Sequence, residues 1–451
     1  MPPVCSRRSF VGGVAATLVS LGARAEAPSS APRILEARPG RLRLTPEAAA
    51  PTEIWGFDGW SPGPLLRLRQ GEELAVRLVN ALPKPLSLHW QGMRGDNAMD
   101  GVAPLVQPAV EPGGSFDYRR KAIDAGLFCY RPSVFGVTPE LVARGLKGLM
   151  IVDEPKPLEA DVDLVMVLDD WRLDKDGAVA GEFDAHAAAA GAGRIGSIVA
   201  IDGKPAPSDR EFPPGARVRL RLANLANARI MFVAFDNAQP FVVAVDSQPC
   251  DAFEPVRRTI PVAPGARFEL MFDMPRTEGA KTGLVLRSIG EPDRALVTFT
   301  AKGVPAPSHP PIASLPQNPL LPPAIRLEAA KKQDLVLEPP KAQGARWSIN
   351  GAPGKAYDGP PLFKVKRGTP VTFGFVNRAE AAVVMHVHGH VVRLLHDLDD
   401  GWEPYWRNAV VVPPGKTKHV AFIADSPGKW AVHDDILEHE AAGLAAWFEV
   451  E

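Results

Sequence analysis

Cysteine is scarce in this chain of 451 residues, with three copies at positions 5, 129 and 250. So few cannot form a disulfide framework. Aromatic residues make up only 7% of the chain, while proline (47) and glycine (40) are abundant. That balance favours many turns and short strands over long helices. An excess of one charge is also missing, since 51 basic residues face 52 acidic ones for a net charge of −1. No Lys/Arg stripe stands out, so nucleic acid is excluded as a partner. Beyond the N-terminus no apolar run is long enough to span a membrane. What is present, 45% hydrophobic and 23% charged residues, describes a packed globular protein and not a disordered one.

The first residues read as an address. Arg7 and Arg8 precede Phe10, an apolar run covers Val11–Leu21, and Ala23–Ala25 reads "ARA". This is the order of a twin-arginine signal peptide, assigned to 1–25, which predicts export to the periplasm. Cleavage after Ala25 removes Arg7, Arg8, Arg24 and Cys5 and no acids, which takes the net charge from −1 to −4. Cys129 and Cys250 then remain. Periplasmic conditions permit a disulfide between them, but the default expectation is two buried thiols.

The rest of the chain repeats itself. "RLRQGEELAVRLVNAL", "FPPGARVRLRLANLAN" and "FKVKRGTPVTFGFVNR" place Gly71, Gly215 and Gly368 nine residues before Asn80, Asn224 and Asn377. Each copy reads as a strand, a glycine turn and an alternating strand. Pro112-Gly113, Pro264-Gly265 and Pro414-Gly415 follow the glycines by 42, 50 and 47 residues. Three all-β units are expected, each a two-sheet sandwich. The boundaries are 30–154, 159–303 and 325–451, with a proline-rich linker over 304–324. "FDAHAAAAGAGRIG" reads as a flexible surface loop and "HDLDDGWEP" as an acidic, solvated one.

Of ten histidines, five gather in three short stretches: His89, then His386 and His388, then His433 and His439. Positions two apart on a strand share a face, so His386 and His388 are placed to enter one cleft. Neutral imidazole is a common ligand for zinc, copper and iron. Histidines in the first and last units suggest a site at a domain interface. His186, His309, His396 and His419 receive no role.

The motifs resemble those of the multicopper oxidase family, and the resemblance covers essentially the whole mature chain. "LSLHWQGMRGDNAMDG", "GLFCYRPSVFGV", "VVMHVHGHVVRLL" and "PGKWAVHDDILEHEAAGL" are similar to its four copper-binding blocks in order. The resemblance implies three consecutive cupredoxin-like Greek-key sandwiches. It also implies a type 1 copper at positions that here hold Val383, Asp434, His439 and Leu444. The thiolate that defines such a site is replaced by Asp434. The implied type 2 ligands are kept, as His89 and His386. The six type 3 positions hold Gln91, Arg131, Ser133, His388, His433 and Asp435. Arg131 puts a permanent cation where a copper would sit. Laccase-like turnover is therefore not expected. Nine methionines without a methionine-rich insert give no support for cuprous-ion oxidation.

Two outcomes stay open at this level. In one, His89, His386, His388 and His433, with Asp435 close by, hold a single copper, with zinc as the alternative. In the other no metal is bound and Arg131 pairs with Asp435 or Asp434. His439 is expected to be structural, and His390 is not expected to be a ligand. The corresponding functions are a periplasmic oxidoreductase-derived protein with a reduced, type-2-like site, and a metal-free scaffold of the envelope or division machinery. The family contains twin-arginine-exported, copper-poor division proteins that this chain resembles. A metal carrier is a third reading. The partner is a small-molecule substrate or an envelope protein, and the chain is expected to be a monomer.

Overall fold

The structure is a computed structural model that describes residues 31–45, 50–183, 186–288, 290, 292–342, 344–353, 357–396 and 401–451. The signal-peptide reading falls outside the described residues, as does part of the acidic stretch, 397–400.

Among the described residues, six β-sheets lie in three successive pairs. The first pair holds two four-stranded sheets built between Arg33 and Asp153. The second has seven and five strands between Val162 and Ala301, and the third six and five between Lys331 and Val450. Each pair closes on its own apolar core. Leu78 meets Phe128 and Met150 in the first, Leu220 meets Val233 and Phe299 in the second, and Phe373 meets Trp430 and Phe448 in the third. These are the all-β sandwiches that the alternating strands require.

The repeat now has a physical cause. In each unit the opening strand runs parallel to the strand ending in the repeated asparagine: Arg33–Leu42 beside Glu73–Asn80, Val162–Trp171 beside Arg217–Asn224, Lys331–Glu338 beside Thr369–Asn377. Asn80 donates from Nδ2 to the carbonyls of Lys84 and Val110 and accepts at Oδ1 from the Leu82 amide. Asn224 repeats this with Arg229, Val262 and Ala226, and Asn377 with Ala381, Val412 and Ala379. Each asparagine amide also donates to the carbonyl just after the Pro-Gly pair, at Gly114, Ala266 or Lys416. The two sequence marks are therefore hydrogen-bonded to each other. They satisfy backbone groups where a buried strand turns a corner.

The units meet through apolar patches, such as Leu127 and Ile151 of the first with Val167 and Leu225 of the second, and through polar contacts. Arg94 of the first pairs with Asp124 and reaches Asp425 of the third at 2.9 Å. In the second unit, Asp246 and Ser247 form a turn with φ of 48° and 70°. Ser247 Oγ donates to the Leu127 carbonyl, and Asp246 accepts from the Asn408 amide. The turn thus wedges between the other two units. The linker is largely exposed but is anchored at separate points: Leu315 is buried, the Pro310 carbonyl accepts from Arg217, and Asn318 donates to Asp124 and Gln248.

One sequence expectation turns out differently and one is met. The segment read as a flexible surface loop forms a helix at His186–Ala190 that packs on the helix Leu437–Ala441. The cause is hydrogen bonding from the third unit, described below, which a reading of its alanines and glycines alone cannot supply. Cys129 and Cys250 are both buried free thiols, as the default reading held.

Candidate metal centre

Two strand pairs carry the centre. His89 and Gln91 lie on the three-residue strand His89–Gln91, antiparallel to Gly126–Arg131, with His89 opposite Arg131. His386 lies on Val383–Val387, antiparallel to Gly428–Asp434, with His386 opposite His433. His388 and Asp435 sit just past the ends of these last two strands. The interface of the first and third units thus joins residues some 300 positions apart, and His89, His386, His388, His433 and Asp435 are all buried there.

The rings are close. Ring centroids of His89 and His388 are 4.1 Å apart, those of His386 and His388 4.5 Å, and those of His388 and His433 4.7 Å. Ligand atoms of His89, His386 and His388 lie within 4.8 Å of one another, as do those of His386, His433 and Asp435. Hydrogen bonds orient the rings. His89 Nδ1 donates to the Asp100 carbonyl at 2.8 Å, and His388 Nδ1 to the Asp100 carboxylate at 2.8 Å. His433 Nδ1 donates to the Asp434 carbonyl at 2.9 Å.

Those bonds leave the other ring nitrogens bare. His89 Nε2 is buried without a hydrogen-bond partner. His388 Nε2 and His433 Nε2 face each other at 2.6 Å, although each ring already donates from Nδ1. Two neutral rings so arranged turn lone pairs toward one another, an unfavourable contact that a cation beside them would relieve. Burial pushes the His386 and His388 imidazoles below their ordinary value and that of His433 down to about 3. All three are therefore neutral at pH 7, the form that binds metal. On the chemistry of its donors the cluster fits a transition metal ion.

Around the histidines lies a shell of charge. Burial works against ionised Asp100, yet its contacts with His89 and His388 hold the carboxyl well below the usual range. Arg120, also buried, lies 3.5 Å from it. Asp435 behaves in the same way: burial pushes it up, but Arg131 first, then His386 and His433, bring it far below the usual range. Arg131 donates to Asp435 Oδ1 at 2.5 Å, and Gln91 Nε2 donates to Oδ2 at 2.7 Å. Of the two partners foreseen for Arg131, the structure selects Asp435.

Asp434 turns the other way. Its Oδ1 accepts the Val384 and Ile436 amides at 2.8 and 2.9 Å, and its Oδ2 meets His439 Nδ1 at 2.7 Å. His439 Nε2 donates to the Gly191 carbonyl at 2.7 Å, and Trp347, beside its ring, donates to the Ala189 carbonyl. Arg194 and Asn227 bring the second unit onto Glu438. Val383 and Leu444 are packed in the apolar core of the third unit. His439 is thus fully used in structure. Ser133 is engaged through its backbone with Ser87 and Ala103. His390 donates to the His388 carbonyl and steadies that turn.

Sequence reasoning passed over three residues. Asp100 bridges His89 and His388, and its only mark in the sequence is the Asp-Gly pair after the first block. Glu440 is fully buried with Oε2 unpartnered, and burial pushes its carboxyl up to about 8, against the pull of Arg131 and with the push of Asp435. The Tyr357 hydroxyl, buried and unpartnered, is raised well above its ordinary value by burial and then by Glu440. Nothing in one sequence separates such a glutamate from a solvated helix face.

Comparison with known proteins agrees with this architecture. Residues 40–157 and 329–451 each match a family model described as multicopper oxidase. The chain belongs to the multicopper oxidase family, and its fold is three cupredoxin-like domains. It is similar to multicopper oxidase MmcO of Mycobacterium tuberculosis, at 26% identity over 98% of this chain and 95% of that protein. It is also similar to cell division protein FtsP of a Rahnella species, at 30% identity over 76% of this chain and 79% of that protein. The crystal structure of a multi-copper oxidase from Pseudomonas thermotolerans superposes with a TM-score of 0.82 at 31% identity, covering 93% of this chain and 99% of that one. Among the described residues no helix is long and apolar enough to cross a membrane.

Proposed function

We propose that this chain is a periplasmic protein of the multicopper oxidase family that holds one transition metal ion, copper before zinc, at a reduced, type-2-like site between its first and third domains. The observation that carries this reading is the convergence of bare imidazole nitrogens: His89 Nε2 has no partner, and the Nε2 atoms of His388 and His433 are turned together. His89, His386 and His388 would hold the ion, with His433 beside it. Asp100 orients two of these rings. Both oxygens of Asp435 already have donors, so it acts as the counter-charge to Arg131. Copper would supply a one-electron couple and Lewis acidity there. The usual electron route is absent in this reading, because Asp434 has no sulfur and is committed to His439. The twin-arginine reading of residues 1–25 supports the periplasmic setting.

The test is loading with copper or zinc followed by metal analysis. About one equivalent, with an electron paramagnetic signal of type 2 character and no blue absorption, is expected. Less than roughly a tenth of an equivalent after loading would end this reading. Changing His89 and His386 together to Ala should abolish binding.

A second reading, a metal-free scaffold in the envelope or division machinery, is favoured by the likeness to cell division protein FtsP and by the Arg131–Asp435 pair, which neutralises the old cluster. Rescue of a deletion strain's envelope or division defect by the double variant would select it.

A further inference from the structure

We infer that Gln91 is a positioning residue that sets the tautomer of His386 and thereby limits how tightly the centre takes up metal; this rests on the proposed role of His386 as a ligand. Gln91 Nε2 has two neighbours, Asp435 Oδ2 at 2.7 Å and His386 Nδ1 at 3.2 Å. Turned the other way, the amide would set its oxygen against a carboxylate oxygen at 2.7 Å. On its far side Oε1 accepts from the Cys129 thiol. Gly265 of the second domain closes the remaining side: a Cβ there would stand 2.2 Å from Gln91 Nε2 and 2.9 Å from Asp435 Oδ2. The amide is therefore fixed with its nitrogen toward Asp435, and its second hydrogen faces His386.

His386 Nδ1 has only two options. It accepts from Gln91, which leaves the ring proton on Nε2, or it donates to Asp435 Oδ1 at 3.3 Å, which leaves Nε2 bare. Two N–H groups cannot face each other at 3.2 Å. Arg131 already occupies Oδ1 at the shorter distance of 2.5 Å. The fixed amide thus selects the Nε2–H tautomer in the metal-free protein. A metal reaching Nε2 must shift that proton to Nδ1 and break the Gln91 contact. An outer hydrogen bond here opposes ligation, where such bonds ordinarily prepare a histidine to bind.

The experiment uses the full mature chain, metal-free, with 15N-labelled histidine. Nitrogen shifts of His386, assigned with a His386→Gln control, are expected to show Nε2–H in the native protein and Nδ1–H in Gln91→Leu. Zinc, used as a diamagnetic probe, should bind Gln91→Leu about tenfold more tightly. Gln91→Met, of similar length, repeats the test should the leucine variant fail to fold. Native His386 carrying its proton on Nδ1, or an unchanged tautomer in both variants, overturns the inference. A tautomer switch with no zinc bound by either protein leaves the role of Gln91 standing and removes the metal-binding reading instead.

Discussion

The Nδ1 atom of His439 lies 2.7 Å from the Asp434 carboxylate, and neither side chain touches solvent. In the family's motif these two positions belong to a copper. Here the carboxylate also anchors two backbone amides, and the imidazole reaches on to Gly191 of the second domain. Asp434→Ala leaves all these donors buried without an acceptor. Its cost is expected to be about 3 kcal/mol, measured by urea unfolding. His439→Leu should also make the segment around Arg194 more accessible to trypsin, because one of its bonds to the third domain is lost.

Arg131 and Asp435 form the second buried pair. The Asp435 carboxyl is depressed in the folded state, so its contribution is present above the unfolded carboxylate pKa of about 4 and is lost as pH falls below it. Arg131→Met should destabilise the protein at pH 7 by about 3 to 5 kcal/mol. Near pH 3 the difference should be smaller. Parallel unfolding curves at the two pH values check the sign.

Glu440 predicts the opposite slope. Its carboxyl is raised to about 8 in the folded state, so the folded protein keeps a proton that the unfolded chain releases. Stability is full below the unfolded pKa of about 4 and falls as pH rises toward 8, at up to roughly 1.4 kcal/mol per unit. Glu440→Gln should flatten the profile and be more stable than the native protein at pH 8. Urea midpoints at pH 5 and pH 8 for both proteins decide it.

The repeated asparagines are interchangeable in role, so they should be similar in cost. Asn80→Ala, Asn224→Ala and Asn377→Ala each strand one buried amide, one buried carbonyl and one carbonyl nearer the surface. Each should lower stability by about 2 kcal/mol. Widely different costs would show that the three corners are not equivalent supports.

Much of this could be read along the chain. The glycine-to-asparagine spacing gives three units because each asparagine's bonds are mostly local: Asn80 reaches Leu82 and Lys84, then Val110 beside the Pro-Gly mark. The histidine pair at His386 and His388 shares a face because strands alternate. Asp100 was not legible, since its partner His388 is 288 residues away. Nor was the docking of residues 186–191, whose alanines and one glycine carry no trace of the His439 and Trp347 bonds that hold them.

By itself the sequence determined the three-unit β architecture, the family, and the absence of a thiolate at Asp434, because strand alternation, turn chemistry and residue identity are local properties. The tertiary structure decided which carboxylate answers Arg131, which imidazole nitrogens are left bare, and which way the Gln91 amide points. Those outcomes depend on distances of a few ångströms between groups from different domains, in a buried site where every donor must find an acceptor. The opposed Asp434 and Asp435 show the difference most plainly: adjacent in the chain and identical in chemistry, they face opposite sides of one strand end, one toward His439 and the other toward Arg131.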